Sequence, residues 1–172
     1  MNRRRFLAGA TVLPVAVAGC LGRGENPDTP NQMAVESRHW TGIVFEDTKQ
    51  VAKRLELEDK PIAYHEIITD REAAEDRIER EDGGEFIEEP DFDESYLVVI
   101  AAGYWSSSDE FELAEIDRTE SGLHVGVRVE SPDDEQLDDL APHSLAVRVT
   151  DEQAVVPDEI SIEIDGTKAG VD

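Results

Sequence analysis

The chain has 172 residues, of which 41 are Asp or Glu and 16 are Lys or Arg, for a net charge of −25. This balance excludes nucleic acid, which needs a basic footprint, and argues against direct binding to acidic membrane surfaces. With one cysteine, neither an intramolecular disulfide nor a CxxC metal site can form.

In chain order, the first element is an address. Arg3-Arg4-Arg5 precede an uncharged stretch from Phe6 to Gly19. A spanning helix needs about twenty apolar residues, and Pro14 weakens the helix reading further. A basic start, a short apolar run and small residues at its end instead read as a signal peptide over residues 1–19. Arg3, Arg4, Phe6 and Leu7 resemble the twin-arginine export motif, a receptor-read address. Val17-Ala18-Gly19-Cys20 resembles the lipobox of lipoprotein signals. That resemblance implies cleavage before Cys20 and a lipid on its thiol, with two or more acyl chains or extra contacts for stable anchoring. The expected location is the extracytoplasmic face of the cell membrane.

Residues 20–33 form the expected lipidated N-terminus and tether, because Leu21 to Met33 are rich in Gly, Pro, Asn and Asp. Residues 34–172 are long enough for one domain with one core. Ala34 to Phe45 read as a first strand region, and Asp47 to Leu57 fit either a short amphipathic helix or a strand. Pro61 to Ile68 read as a strand. Thr69 to Glu72 form a capping box with Thr69 as N-cap, opening a helix that the pattern carries to Gly83-Gly84.

Beyond that helix the apolar period becomes two. Tyr96 to Ala102 are apolar throughout, as in a strand buried on both faces. Phe111, Leu113 and Ile116 mark the next strand, and Thr119 to Gly122 a turn. Leu123, Val125, Val127 and Val129 alternate with His124, Gly126, Arg128 and Glu130. Leu145, Val147 and Val149 repeat that pattern, and Ile160, Ile162 and Ile164 give a last strand. The expected fold class is α+β and mostly β, an antiparallel sheet or small sandwich with one or two packed helices.

Acid excess with few aromatics can signal disorder, but here the acids are interleaved with β-branched residues in regular alternation. The pattern therefore reads as a folded domain with an acidic surface, and only four residues of the chain are lysine: Lys49, Lys53, Lys60 and Lys168. In this it resembles proteins of extreme halophiles such as haloarchaea. Cleavage before Cys20 would leave 13 basic against 41 acidic residues, a net −28. At about 1 M salt the Debye length falls to about 3 Å, which screens such self-repulsion.

The order of elements from Glu66 to Thr150 carries a second resemblance. Asp91-Phe92-Asp93-Glu94-Ser95-Tyr96-Leu97-Val98-Val99 lead into the buried strand, Gly103 follows, then the Phe111–Val129 hairpin, then Pro142 to Val149. This order is similar to the C-terminal domain family of PrcB, a lipoprotein of a bacterial surface protease complex. The resemblance implies a fold and a non-enzymatic role in surface assembly, and it supplies no catalytic residue. Where the family has a glycine-rich loop before the hairpin, this chain has Gly103-Tyr104-Trp105-Ser106-Ser107-Ser108-Asp109.

Sites for chemistry are sparse. Ser106, Ser107 and Ser108 stand outside any GxSxG elbow. His39, His65, His124 and His143 never fall at metal-ligand spacing, although His65 and His124 could converge from distant strands. Among the acid clusters, Asp91, Asp93 and Glu94 loosely recapitulate the start of a calcium loop. Tyr96 stands where the loop's glycine would be, so no metal site is assigned. Asp133, Asp134, Glu135, Asp138 and Asp139 are the remaining clusters, read as a chance product of the 41 acids and suited to loose cation binding, not to a dedicated site. Arg128 and Arg148 are expected to pair with acids across strands. Tyr104 and Trp105 form the candidate recognition loop, either contact anchors or a cap on the core. The expectation is a lipid-anchored, non-enzymatic binding or scaffolding protein without a cofactor, held to the membrane through Cys20, its partner another exported or surface protein. The alternatives are a solute- or cation-binding lipoprotein and a hydrolase built on a carboxylate pair.

Overall fold

The computed structural model describes residues 33–55, 62–79, 84, 86–87, 90–119, 122–132, 139–151 and 156–171. The export signal, Cys20, the tether as far as Gln32 and the cluster from Asp133 to Asp138 lie outside the described residues.

Among the described residues the elements follow in the order β1 (Met33–Thr41), α1 (Thr48–Leu55), β2 (Ile62–Ile68), α2 (Arg71–Arg77), β3 (Ser95–Ser106), β4 (Glu110–Arg118), β5 (Leu123–Glu130), β6 (Leu140–Asp151), β7 (Ile160–Ile164), β8 (Thr167–Lys168) and β9 (Gly170–Val171). One sheet has the order β1-β6-β3-β2-β9, the other β4-β5-β7-β8. The protein is thus α+β and mostly β, a sandwich with helices on the outer face of the larger sheet. Both sheets are mixed, because β2 pairs with β9 and β5 with β7 in parallel.

The uninterrupted apolar run of β3 explains the three layers. Tyr96, Val98, Ile100 and Ala102 face the smaller sheet and pack with Phe111, Val125, Leu145 and Ile162. Leu97, Val99 and Ala101 face the other way, under Phe45, Val51, Leu55 and Ala74. Each large apolar side chain so buried contributes about 1.5–3 kcal/mol. Met33, expected at the end of the tether, is the first residue of β1 and is buried.

The segment left open between helix and strand is α1. The Asp47 carboxylate accepts from the Gln50 N–H at 3.3 Å, and Val51 and Leu55 are buried one turn apart. Two expectations for α2 are corrected. Asp70, not Thr69, is the N-cap, its carboxylate accepting from Ala73 N at 2.8 Å. The helix also ends at Arg77, short of Gly83-Gly84, because Ile78 turns extended and forms an antiparallel bridge with Phe45. Burial of Ile78 and bonds from Glu79 N to Val44 O and Glu46 N to Arg77 O replace a further turn.

Two β-bulges re-aim side chains. The β4–β5 register shifts between Leu113 and Glu115, so the extra residue Ala114 returns Ile116 to the core and turns Glu115 outward. The β3–β6 register shifts between Ala102 and Tyr104, with Gly103 as the extra residue. Past it, Trp105 points into the sandwich and Tyr104 away from it.

Candidate functional site

The bulge at Gly103 decides what the two singled-out aromatics do. Tyr104 and Trp105 lie on β3, which continues to Ser106, so the expected recognition loop is a strand. Trp105 packs edge-on against Phe111, with ring centroids 5.1 Å apart at 81°, and closes one end of the sandwich core. Tyr104 is 40% exposed. In the ladder Tyr104 pairs with Pro142 and Ser106 with Leu140, which places Tyr104, Pro142 and Leu140 on one face. Leu140 is 68% exposed, so this end of the larger sheet presents an apolar patch in an otherwise acidic chain.

A buried polar cluster fixes the backbone beneath that patch. His143, fully buried, donates from Nε2 to the Ser106 carbonyl at 3.0 Å. A carbonyl only accepts, so Nε2 carries the proton and Nδ1 is left to accept from His39 Nε2 at 2.9 Å. The two imidazoles stack at 13°, and Phe111 stacks on His143 in turn. Burial holds both histidines below their ordinary pKa, and the neighbouring His143 lowers His39 further. Asp109, also buried, accepts from Ser106 N at 3.1 Å and from Ser131 Oγ at 2.8 Å. On the outside, Ser107 donates to Asp139 from both its hydroxyl, at 2.7 Å, and its N–H, at 3.1 Å. Gly42 N donates to Pro142 O at 2.8 Å. The ends of β1, β3 and β6 are thereby clamped before any partner arrives, which reduces the ordering cost of binding.

The histidine pair of the sequence expectation does not form. His65 sits on β2 of the larger sheet, where burial lowers its pKa, and His124 on β5 of the smaller. His124 bonds instead to Glu115 at 3.1 Å and to Ser161 at 3.0 Å, a carboxylate–imidazole–hydroxyl set across β4, β5 and β7. Gly126 makes it possible, because a Cβ there would sit 2.6 Å from Glu115 Cγ. These two bonds tie the side chains of β4, β5 and β7 together on the outer face of the smaller sheet.

The remaining sequence candidates have structural partners. Arg148 bonds Glu36 across the β1–β6 ladder at 2.9 Å and lies 4.8 Å over the Phe86 ring. Arg128 lies 3.8 Å from Glu130, both well exposed. Asp91 accepts from Asp93 N at 3.1 Å in the turn that leads into β3. The second buried acid, Asp151, bonds Arg118. Ser106 and Ser108 bond one another through their hydroxyls at 2.8 Å. Among the described residues no three His, Cys, Asp or Glu side chains converge as metal ligands, and no helix is long and apolar enough to cross a membrane. No protein-family model, curated protein or solved structure matches this chain.

Proposed function

We propose that this is a lipid-anchored binding or scaffolding protein on the extracytoplasmic face of a halophile membrane, and that its partner is another exported or surface protein. The observation that carries the reading is the patch of Tyr104 and Leu140, both exposed beside half-buried Pro142 and seated on a clamped sheet end. Exposed apolar side chains grouped on one face mark contact surfaces, and an aromatic among them is the side-chain type most enriched at interface hot spots. Trp105 contributes from behind, packed on Phe111 as a cap on the core. The signal sequence, Cys20 and the acid excess support the compartment, and the PrcB-like order of elements agrees with an assembly role. The role needs no catalytic group and no cofactor.

The test is a crosslinked pull-down from intact cells in molar salt, comparing the native chain with Tyr104→Asp/Leu140→Asp and with Cys20→Ser. The double variant should lose a partner that the native chain captures, and Cys20→Ser should leave the cell surface for the medium. Undiminished capture by the double variant refutes the patch, and a cell-bound Cys20→Ser refutes the anchor.

A further inference from the structure

A cleft of about 220 Å³ lies between α1, β2 and α2, with Phe45, Val51 and Tyr64 as its apolar lining and Glu46, Asp76 and Arg54 among its charged groups. It shares no residue with the Tyr104–Leu140 patch, so the two proposals stand or fall separately. The cleft's groups are arranged in a definite order. Tyr64 is fixed edge-on against Phe45, centroids 5.0 Å apart, and its hydroxyl donates to Glu66. Arg77 also reaches Glu66, at 3.3 Å. Glu66 is therefore engaged by both neighbours. Burial, together with Glu66, pushes the Tyr64 phenol up to about 12, so it stays protonated and pinned.

Arg54 is held differently. Its guanidinium lies 5.1 Å over the Tyr64 ring, and among the described residues it makes no ion pair. In a chain with 41 acidic residues, an arginine positioned by a ring instead of a carboxylate keeps its N–H fork available. That fork matches a carboxylate bidentately. A simple anion would be repelled by Glu46, Asp47 and Asp76, and a simple cation would leave the Arg54 fork unmatched. A molecule carrying both charges satisfies both sides. Phe45 and Val51, each almost fully buried, offer an apolar wall to a short side chain. The volume falls below the roughly 300–1,000 Å³ of pockets for drug-sized ligands, which suits a single small metabolite.

We propose that this cleft binds a small zwitterion of the α-amino-acid class, with its carboxylate on Arg54 and its ammonium at Glu46 and Asp76. The assay is equilibrium dialysis of labelled L-leucine against the full chain in molar KCl. The native chain should retain leucine, and acetate or methylammonium should displace it at least roughly tenfold less well than unlabelled leucine does. Arg54→Met keeps the aliphatic stem over Tyr64 and should weaken retention by roughly tenfold or more; Asp76→Asn, on the exposed face of α2, should weaken it in the same direction. Tyr64→Phe keeps the ring and should retain leucine. The proposal is overturned if the native chain retains no leucine, if Arg54→Met binds like the native chain, or if acetate competes as well as leucine.

Discussion

Gly122→Ala is the sharpest structural test, because the cost follows from one contact. A Cβ on Gly122 would sit 2.0 Å from the Glu159 carbonyl oxygen and 2.8 Å from its carbon. That oxygen already accepts from Leu123 N at 2.9 Å at the start of the parallel β5–β7 ladder. The neighbour is backbone, so relief requires moving β7 away from β5. Ile160, Ile162 and Ile164 follow on β7, all buried between the sheets. Overpacking of this kind costs about 1–3 kcal/mol, and partial exposure of one isoleucine adds about 1 kcal/mol of its burial. The smaller entropy of the unfolded alanine chain returns only about 0.4–1 kcal/mol. The net is about 1–3.5 kcal/mol, or a melting temperature lower by roughly 4–14 °C for a domain of this size. Gly126→Ala is the control. There the obstacle at 2.6 Å is the flexible Glu115 side chain, which can swing away at the loss of a half-exposed contact to His124 worth about 1 kcal/mol or less. Thermal unfolding by circular dichroism in molar KCl reads both. Equal melting temperatures for Gly122→Ala and the native chain, or a larger loss for Gly126→Ala, would refute the parallel pairing and the reasoning built on it.

Three further outcomes follow from the same structure. The Tyr96 hydroxyl is buried and has no hydrogen-bond partner among the described residues, so Tyr96→Phe should stabilise by about 1 kcal/mol, and a lower melting temperature would reveal a hidden partner. Burial lowers the pKa of His39 and His143, so as pH falls through their ordinary value of 6.5 the unfolded chain binds protons that the fold resists. Stability should therefore decline below pH 6.5 and level off only beneath the folded-state pKa values; the native chain should lose more between about pH 7.5 and 5 than His39→Asn, and equal losses would contradict the neutral pair. Dilution from molar to millimolar salt should lower the melting temperature as the charge of −25 becomes unscreened, and a salt-indifferent melt would undo the halophile reading.

Much of the sandwich can be read from side-chain period. The unbroken run of β3 announces a strand covered on both faces, and the alternation in β5, β6 and β7 announces their inward faces. Period carries no strand direction, however, so neither parallel pairing is visible in it. Nor is a bulge, which is why Ile116 falls out of step with Phe111 and Leu113 and why Tyr104 and Trp105 read as a loop. At α2 a better cap one residue along, Asp70, displaced the threonine, and burial of Ile78 ended the helix early. Of the candidate site, Tyr104 and Trp105 stood out as aromatics, but their separation into an exposed side chain and a core cap depends on Gly103. The His39–His143 contact joins residues 104 apart. A signal for it did exist, since His143 continues the inward phase of Leu145, Val147 and Val149 and so stands where an apolar residue is expected. Arg54 gave no such signal, because its place over Tyr64 depends on how α1 packs on β2.

The most direct test of the proposed role is a photo-reactive amino acid placed singly at Tyr104, Leu140 or Glu112 in cells grown in molar salt. Glu112, an exposed residue on the edge strand β4 of the smaller sheet, serves as the reference position. One discrete protein adduct shared by positions 104 and 140 and absent at 112 is expected of the proposed role. Adducts of equal yield at all three positions, or none at 104 and 140, would contradict it.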